Sequence, residues 1–354
     1  MKKYLVIGNA ESVHLVKWIK ELLKYFEVFV LSSKGVRSEI IDLLPEQNIF
    51  TLDLKISEKG GNYKLLFKLF TIKKIIRGIN PDYVNAHYIT SHGFVAALIK
   101  KWMNSHYYLI QSAWGSDILV TSFKNKLYYL ITRFSLNQSN LITSDSEYMT
   151  GIIRKLSDRD IMTFIFGLDS LPEVDVSMKN PNLFYSNRIL TGNYKIEDVI
   201  LLFRQISKLN PSASLIVSND GDQRKSLENL TMELGLQNKV EFIGFVSAEA
   251  QMSIYQRAQY YISLPVSDST SVSLIEAMAY GCIPVLSDIP ANREWITDGL
   301  NGIICHGLDK DAESIFKALN KREAILSINR EIVKSKAIFP DSVKLFINRI
   351  YKPV

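Results

Sequence analysis

Residues 260–287 read YYISLPVSDSTSVSLIEAMAYGCIPVLS. A short run of Tyr, Ile and Leu ends at a proline, and a polar loop spans Val266 to Ser271. An apolar stretch of helical period opens near Val272, Gly281 stops it in the manner of a left-handed cap, and a second short apolar run follows. Strand, loop, helix and strand in that order make one crossover unit whose two strands are parallel.

The same alternation runs through the chain. KYLVIG, EVFVLSS, NIFTLD, YVNAHY, YYLIQS and LITSDS are separated by amphipathic stretches at 11–25, 35–44, 62–79, 91–103 and 146–157. It breaks at GLDSLPEVDVSMKNPN, 167–182, where two prolines and scattered acids carry no period, and resumes as LFYSNRIL, SLIVSN, VEFIGF, YYISLPV, IPVLS and GIICH. The expected class is α/β with two doubly wound, Rossmann-like domains, at 1–167 and 183–337, joined by a linker at 168–182. The last amphipathic stretch, 338–354, is expected to be a helix that packs on either domain. Two open parallel sheets place a ligand in a cleft at the carboxyl ends of their strands.

At 354 residues and 47% hydrophobic content, the chain is long enough for two cores. Cys282 and Cys305 sit in apolar surroundings without metal-ligand spacing and are expected to be reduced core residues. The first apolar run ends at Gly8, too short for a signal-peptide core, and no apolar stretch approaches the ~20 residues that span a bilayer. A cytoplasmic location is expected, either free or peripheral on the inner face of the cytoplasmic membrane. Net charge is +6 and unevenly spread: residues 1–155 carry 21 Lys and Arg against 12 Asp and Glu, the remainder 21 against 24. The first half therefore favours an anionic partner, nucleic acid or lipid surface, between which charge alone does not choose. In NYKLLFKLFTIKKIIRGI, 62–79, Lys64, Lys68, Lys73, Lys74 and Arg77 lie among Leu, Phe and Ile, a composition that suits either an interfacial helix at an anionic membrane or an ordinary helix packed on a sheet.

The loop 266–271 brings an acid, four hydroxyls and a helix start together. A helix N-terminus favours phosphate oxygens, with Ser269, Thr270, Ser271 and the Val272 amide at hand. Asp268 and Glu276 suit sugar hydroxyls, or are an N-cap and a solvated helix acid. Asp158-Arg159-Asp160 reads as a solvated turn, and no acidic cluster calls for a metal.

Several segments together resemble the family 4 glycosyltransferases, retaining nucleotide-sugar enzymes of the two-domain GT-B fold. The resemblance runs from the helix segment through IEAMAYGCIPVLSDIPANREWITDGLNG to residue 302, and includes LIVSNDGDQRKSLENLTMELGLQNKVEFIGFVS at 215–247. It implies that Glu276 binds the ribose and Asp268 the donor sugar. Phe245 and Val246 face the base, commonly uracil, with guanine also open. In SNRILTGNYKIED, 186–198, Arg188 and Lys195 take the diphosphate. In the first domain, VIGNAESVH, PDYVNAHYITSHGFVAALIKK and LIQSAWGSDIL bring Gly8, Asn9, Ser12, His87, Trp114 and Asp117 to the acceptor side. Trp114 stands where the family often has a histidine, and Asp117 either orients that loop or caps the next helix. His14 and His92 are read as structural residues on helices.

The expected activity is metal-independent hexosyl transfer, with Asp268, Arg188 and Lys195 at the reacting end. The donor is a nucleotide sugar, read as a UDP-sugar, and the acceptor a saccharide or lipid-linked saccharide in surface-polysaccharide or glycoconjugate assembly. No cofactor and no nucleic-acid partner are expected. A sugar-nucleotide 2-epimerase of the same fold and a catalytically silent partner subunit are the alternatives.

Overall fold

The computed structural model describes residues 1–54 and 64–351. The chain divides into two compact units, Met1–Ile165 with Pro340–Val354, and Phe166–Phe339.

The first unit contains strands β1 Lys3–Gly8, β2 Glu27–Ser32, β3 Ile49–Thr51, β4 Tyr83–His87, β5 Tyr108–Ser112, β6 Leu141–Ser144 and β7 Asp160–Thr163. They form one sheet in the order β3-β2-β1-β4-β5-β6-β7, every pairing parallel. The chain winds outward from β1 in one direction and from β4 in the other, so the switch point lies between them. Strands β1 and β4 are buried almost throughout, as helices on both faces require.

In the second unit, β8 Asn180–Ser186, β9 Ser214–Ser218, β10 Val240–Gly244, β11 Ala258–Ser263, β12 Ile283–Ser287 and β13 Ile303–Cys305 form a parallel sheet in the order β10-β9-β8-β11-β12-β13. Here the switch point lies between β8 and β11. The core packs Phe184 flat on Tyr260, ring centroids 4.3 Å apart, with Val199, Phe203, Val217 and Ile262 around them. The helix Val272–Ala279 ends before Gly281, whose φ of +77° is the left-handed conformation that glycine adopts without strain.

Expectations for three stretches change, and the final helix, expected on either domain, is settled on the first. The stretch 168–182 is part of the second unit: Leu168 N–H donates to the Ala337 carbonyl at 2.8 Å and Phe339 N–H to the Leu168 carbonyl at 2.7 Å. Gly167 permits this crossing, because a Cβ there would lie 1.8 Å from the Ala337 oxygen. The final helix, Phe339–Tyr351, enters the first unit, where Phe346 meets Trp18 edge to face at 5.1 Å and Tyr351 stacks on Phe26 at 5.7 Å. Asp160 is not a solvated turn residue, since both its oxygens accept from the Arg349 guanidinium of that helix, at 2.6 and 3.0 Å. The segment 62–79 is two helices, Lys64–Phe67 and Leu69–Ile79; residues 62 and 63, and 352–354 of the last stretch, lie outside the described residues.

Candidate functional site

The second unit's switch point brings Arg188, Asp268 and Ser271 together. Arg188 follows β8 by two residues and Asp268 follows β11 by five. Because β8 and β11 are neighbours, two side chains eighty positions apart meet: Arg188 Nη2 donates to Asp268 Oδ2 at 2.6 Å. Asp268 Oδ1 accepts the Ser269 N–H at 3.0 Å. The other arm of the guanidinium, Nη1, donates to Ser271 Oγ, and the Tyr194 ring lies against its plane, 4.2 Å from centroid to Cζ. Both partners are largely buried. Burial acts to lower the Arg188 pKa, but Asp268 and the neighbouring tyrosines outweigh it and the group stays charged. Burial pushes the Asp268 carboxyl up, against the pull of Arg188 and the Ser269 amide.

Ser271 is the N-cap of the helix Val272–Ala279; its Oγ accepts the Leu274 N–H at 3.3 Å. The first-turn amides of Val272 and Ser273 have no partner inside the helix, which gives this end a donor-rich, positive character. Ser269 is buried and Thr270 half-buried beside them. Lys195 is half-buried, in a left-handed conformation at φ 48°, as the residue before the helix Ile196–Leu209. The loop carrying it is tied to the acidic loop by Val266 N–H to the Asn193 carbonyl, 2.8 Å, and Asn193 Nδ2 to the Ser267 carbonyl, 3.0 Å.

Glu276 lies on the second turn of the helix, half-buried, and its Oε2 accepts from Gln251 Nε2 at 2.9 Å. Phe245, after the positive-φ Gly244 that closes β10, is 76% exposed, and Val246 is half-buried. A network that sequence reasoning missed lies beneath. Asn187 accepts from Tyr261 Oη at 3.0 Å and donates to Tyr255 Oη at 2.9 Å, and Tyr255 donates to the Ser273 carbonyl at 3.0 Å. It ties the end of β8, and with it Arg188, to the helix start. No local signal marks it, since tyrosines in strands read as ordinary β formers.

In the first unit, Gly8 closes β1 against His87, and a Cβ at Gly8 would sit 3.4 Å from the His87 Cβ. Asn9 turns the chain, accepting the Glu11 N–H on its side chain and the Ser12 N–H on its carbonyl, both at 3.1 Å. Ser12 caps the helix Val13–Leu22 through His14 N–H, 3.3 Å. Asn9, Glu11, Ser12, His14, His87 and Trp114 line a cavity of about 280 Å³.

Trp114, standing where the family often has a histidine, is held by its neighbours. Its indole N–H donates to His87 Nδ1 at 3.1 Å, and its ring packs on Tyr88 and His14. With Nδ1 accepting, His87 is the tautomer that donates from Nε2 to Asn85 Oδ1, 3.2 Å. Asn85 in turn accepts from Trp18 and donates to Ser112. Burial drives His87 down to about 3, aided by His92 and His14, so the imidazole is neutral. Asp117, buried, accepts from the Ile89 N–H at 2.7 Å and the Trp114 N–H at 3.0 Å. It therefore joins two loops rather than merely capping a helix. His14 lies on the helix Val13–Leu22 and His92 on the π-helix Tyr88–Gly93, both as expected, and His92 Nδ1 donates to the His87 carbonyl at 2.9 Å.

Among the described residues no group of three or more His, Cys, Asp or Glu is placed to hold a metal ion, and no helix is long and apolar enough to cross a membrane.

Comparison with known proteins matches each unit separately. Residues 3–146 match the family model described as glycosyl transferase 4-like, and residues 171–331 that of glycosyl transferases group 1. An uncharacterized glycosyltransferase of Methanocaldococcus jannaschii is 28% identical over 146 residues, 40% of this chain and 37% of that protein. The GDP-mannose:cellobiosyl-diphosphopolyprenol alpha-mannosyltransferase of Xanthomonas oryzae is 30% identical over 118 residues, 32% of this chain and 30% of that protein. The aligned stretches thus span about a third of these relatives. Among solved structures, Anabaena HepE in complex with UDP and glucose superposes with a TM-score of 0.80 over 99% of this chain and 100% of that one, at 16% identity, a likeness of fold.

Proposed function

We propose that this protein, whose residues 3–146 match the glycosyl transferase 4-like family model and 171–331 that of glycosyl transferases group 1, is a retaining hexosyltransferase acting from a nucleotide sugar. The observation that carries the reading is Arg188 beside the start of the helix Val272–Ala279 at the second domain's switch point, with Asp268 and Ser271 against it.

A diphosphate fits that chemistry. Free first-turn amides and a guanidinium fork stabilise the charge that grows on the leaving group, and Lys195 adds a second cation in the adjoining loop. We assign Glu276 to the ribose hydroxyls, Phe245 and Val246 to the base, and Asp268 to the donor sugar. The first domain, with Gly8, Asn9, Ser12 and the wall of His87 and Trp114, takes the acceptor. In that wall His87 serves as a positioning residue, because both its ring nitrogens are engaged and it is neutral. With Arg188 and the helix start neutralising the diphosphate, catalysis needs no divalent ion.

A UDP-sugar is the donor we favour. A GDP-sugar is the second reading, supported by the mannosyltransferase that aligns with part of this chain. That relative's lipid-linked acceptor, and the basic, aromatic surface of the helix Leu69–Ile79, support a saccharide or lipid-linked saccharide acceptor met at an anionic membrane. A thermal-shift panel of UDP, GDP, UDP-glucose and GDP-mannose tests the reading: ligand at a hundred times its dissociation constant adds roughly 2.7 kcal/mol of apparent stability. No shift with any of them sinks it. Product analysis then separates transfer and slow donor hydrolysis from an epimer or from no turnover.

A further inference from the structure

The carboxylate assigned to the donor sugar is already committed. Asp268 Oδ2 takes Arg188 Nη2 at 2.6 Å and Oδ1 takes the Ser269 amide at 3.0 Å, with the two side chains only 17% and 10% exposed. The same guanidinium also donates to Ser271 Oγ and carries Tyr194 on its face. Nothing in this arrangement leaves Asp268 available to a hydroxyl while it holds Arg188 in this way.

We propose that Asp268 is an exchangeable counter-ion: it holds Arg188 in the unliganded site, yields it to the donor's diphosphate, and once released takes the hydroxyls of the attached sugar. The inference deepens the nucleotide-sugar reading and rests on it. A buried guanidinium cannot lose its proton and is costly without a partner anion, so the empty site needs Asp268 where it is. When a diphosphate reaches the helix start, a carboxylate on the same guanidinium becomes redundant and is repelled by the new charge. Released, it is itself a buried charge in want of donors. A donor sugar supplies them through its hydroxyls, whereas a bare nucleoside diphosphate does not. The site therefore distinguishes the intact donor from the spent nucleotide, and the return of Asp268 to Arg188 helps expel the product. Ser271 takes no part in the exchange, because its Oγ is neutral and remains the cap for Leu274.

Asp268→Asn preserves the shape and the hydrogen bond to Arg188 but removes the charge to be expelled. Isothermal titration of wild type and variant with UDP and with inorganic pyrophosphate is expected to show both probes binding about tenfold tighter to the variant, the scale of one charge-assisted hydrogen bond. Equal or weaker binding by a variant that unfolds at the wild-type temperature overturns the proposal. A crystal structure of the wild type with UDP-glucose needs no variant: Arg188 and Asp268 should stand more than about 4 Å apart, beyond ion-pair range, and a pair still in contact with the intact donor bound overturns it. Wild type that binds pyrophosphate but not UDP refutes the nucleotide reading and leaves the exchange to be judged on pyrophosphate. UDP binding of equal strength in both proteins refutes the exchange alone, and no binding of either probe to either protein overturns both.

Discussion

The indole N–H of Trp114 donates to Nδ1 of His87 at 3.1 Å, and this bond sets the state of both residues. It uses the one polar handle of the tryptophan and leaves the imidazole with its proton on Nε2. Trp114→Phe keeps the aromatic wall but orphans a buried acceptor, and is expected to destabilise the protein by about 1–3 kcal/mol. Urea denaturation measures the loss; an unchanged midpoint means the bond does not form in solution.

The neutral histidines impose a pH dependence of definite sign. Burial brings His87 down to about 3 and His92 down to about 4, both below the unfolded value of about 6.5. The unfolded chain therefore binds more protons, so the contribution to stability is complete above about pH 6.5 and is lost as pH falls toward the folded values. At pH 5 each histidine should cost roughly 2 kcal/mol relative to pH 7.5. Urea midpoints that stay level over this range would mean that the rings charge freely in the folded state.

Arg188→Lys retains a charge but loses the fork that reaches Asp268 and Ser271 together. We expect kcat/KM for transfer or donor hydrolysis to fall about 10²- to 10³-fold, the range for loss of one oriented charge stabiliser. In the wild type, EDTA should leave the rate unchanged. A strong dependence on added Mg²⁺ or Mn²⁺ would transfer the role given to Arg188 and the helix start to a metal.

Glu276→Ala removes the carboxylate that Gln251 holds at 2.9 Å. If that group grips the ribose, the variant's thermal shift with the nucleotide falls well below the wild-type shift while pyrophosphate stabilises both equally. Equal nucleotide shifts would detach Glu276 from the site.

Phe70 and Trp102, 72% and 49% exposed, meet edge to face at 5.3 Å on two adjoining helices, and Lys73 Nζ lies 3.5 Å from the indole centroid. Residues 64–116 hold seven Lys and Arg and a single acid, Asp82. Replacing each ring by Ser should weaken co-sedimentation with phosphatidylglycerol-containing vesicles about tenfold, the worth of one buried aromatic. High salt should weaken it further. Binding that persists in the double variant would remove this surface from membrane contact.

The strand order of neither sheet is written in any one segment, yet the class was legible throughout. Short runs such as KYLVIG and YYISLP separated by amphipathic stretches admit little besides parallel crossovers. The 168–182 stretch misled because prolines and acids without period look like a linker. Its place in the second unit depends on the Leu168 and Ala337 backbones meeting, which no local pattern announces.

Sequence alone determined what is short-ranged: strands from runs of β formers, the helix start near Val272 from the onset of its apolar period, and the stop at Gly281 from the one residue that takes positive φ freely, whereas the cap is Ser271 and not Asp268. Only the tertiary structure decided partners. Arg188 meets Asp268 because β8 lies beside β11, and Trp114 meets His87 because β4 lies beside β5. Adjacency in a sheet is chosen by burial of the whole core, and the chain between Arg188 and Asp268, eighty positions apart, carries no local record of it.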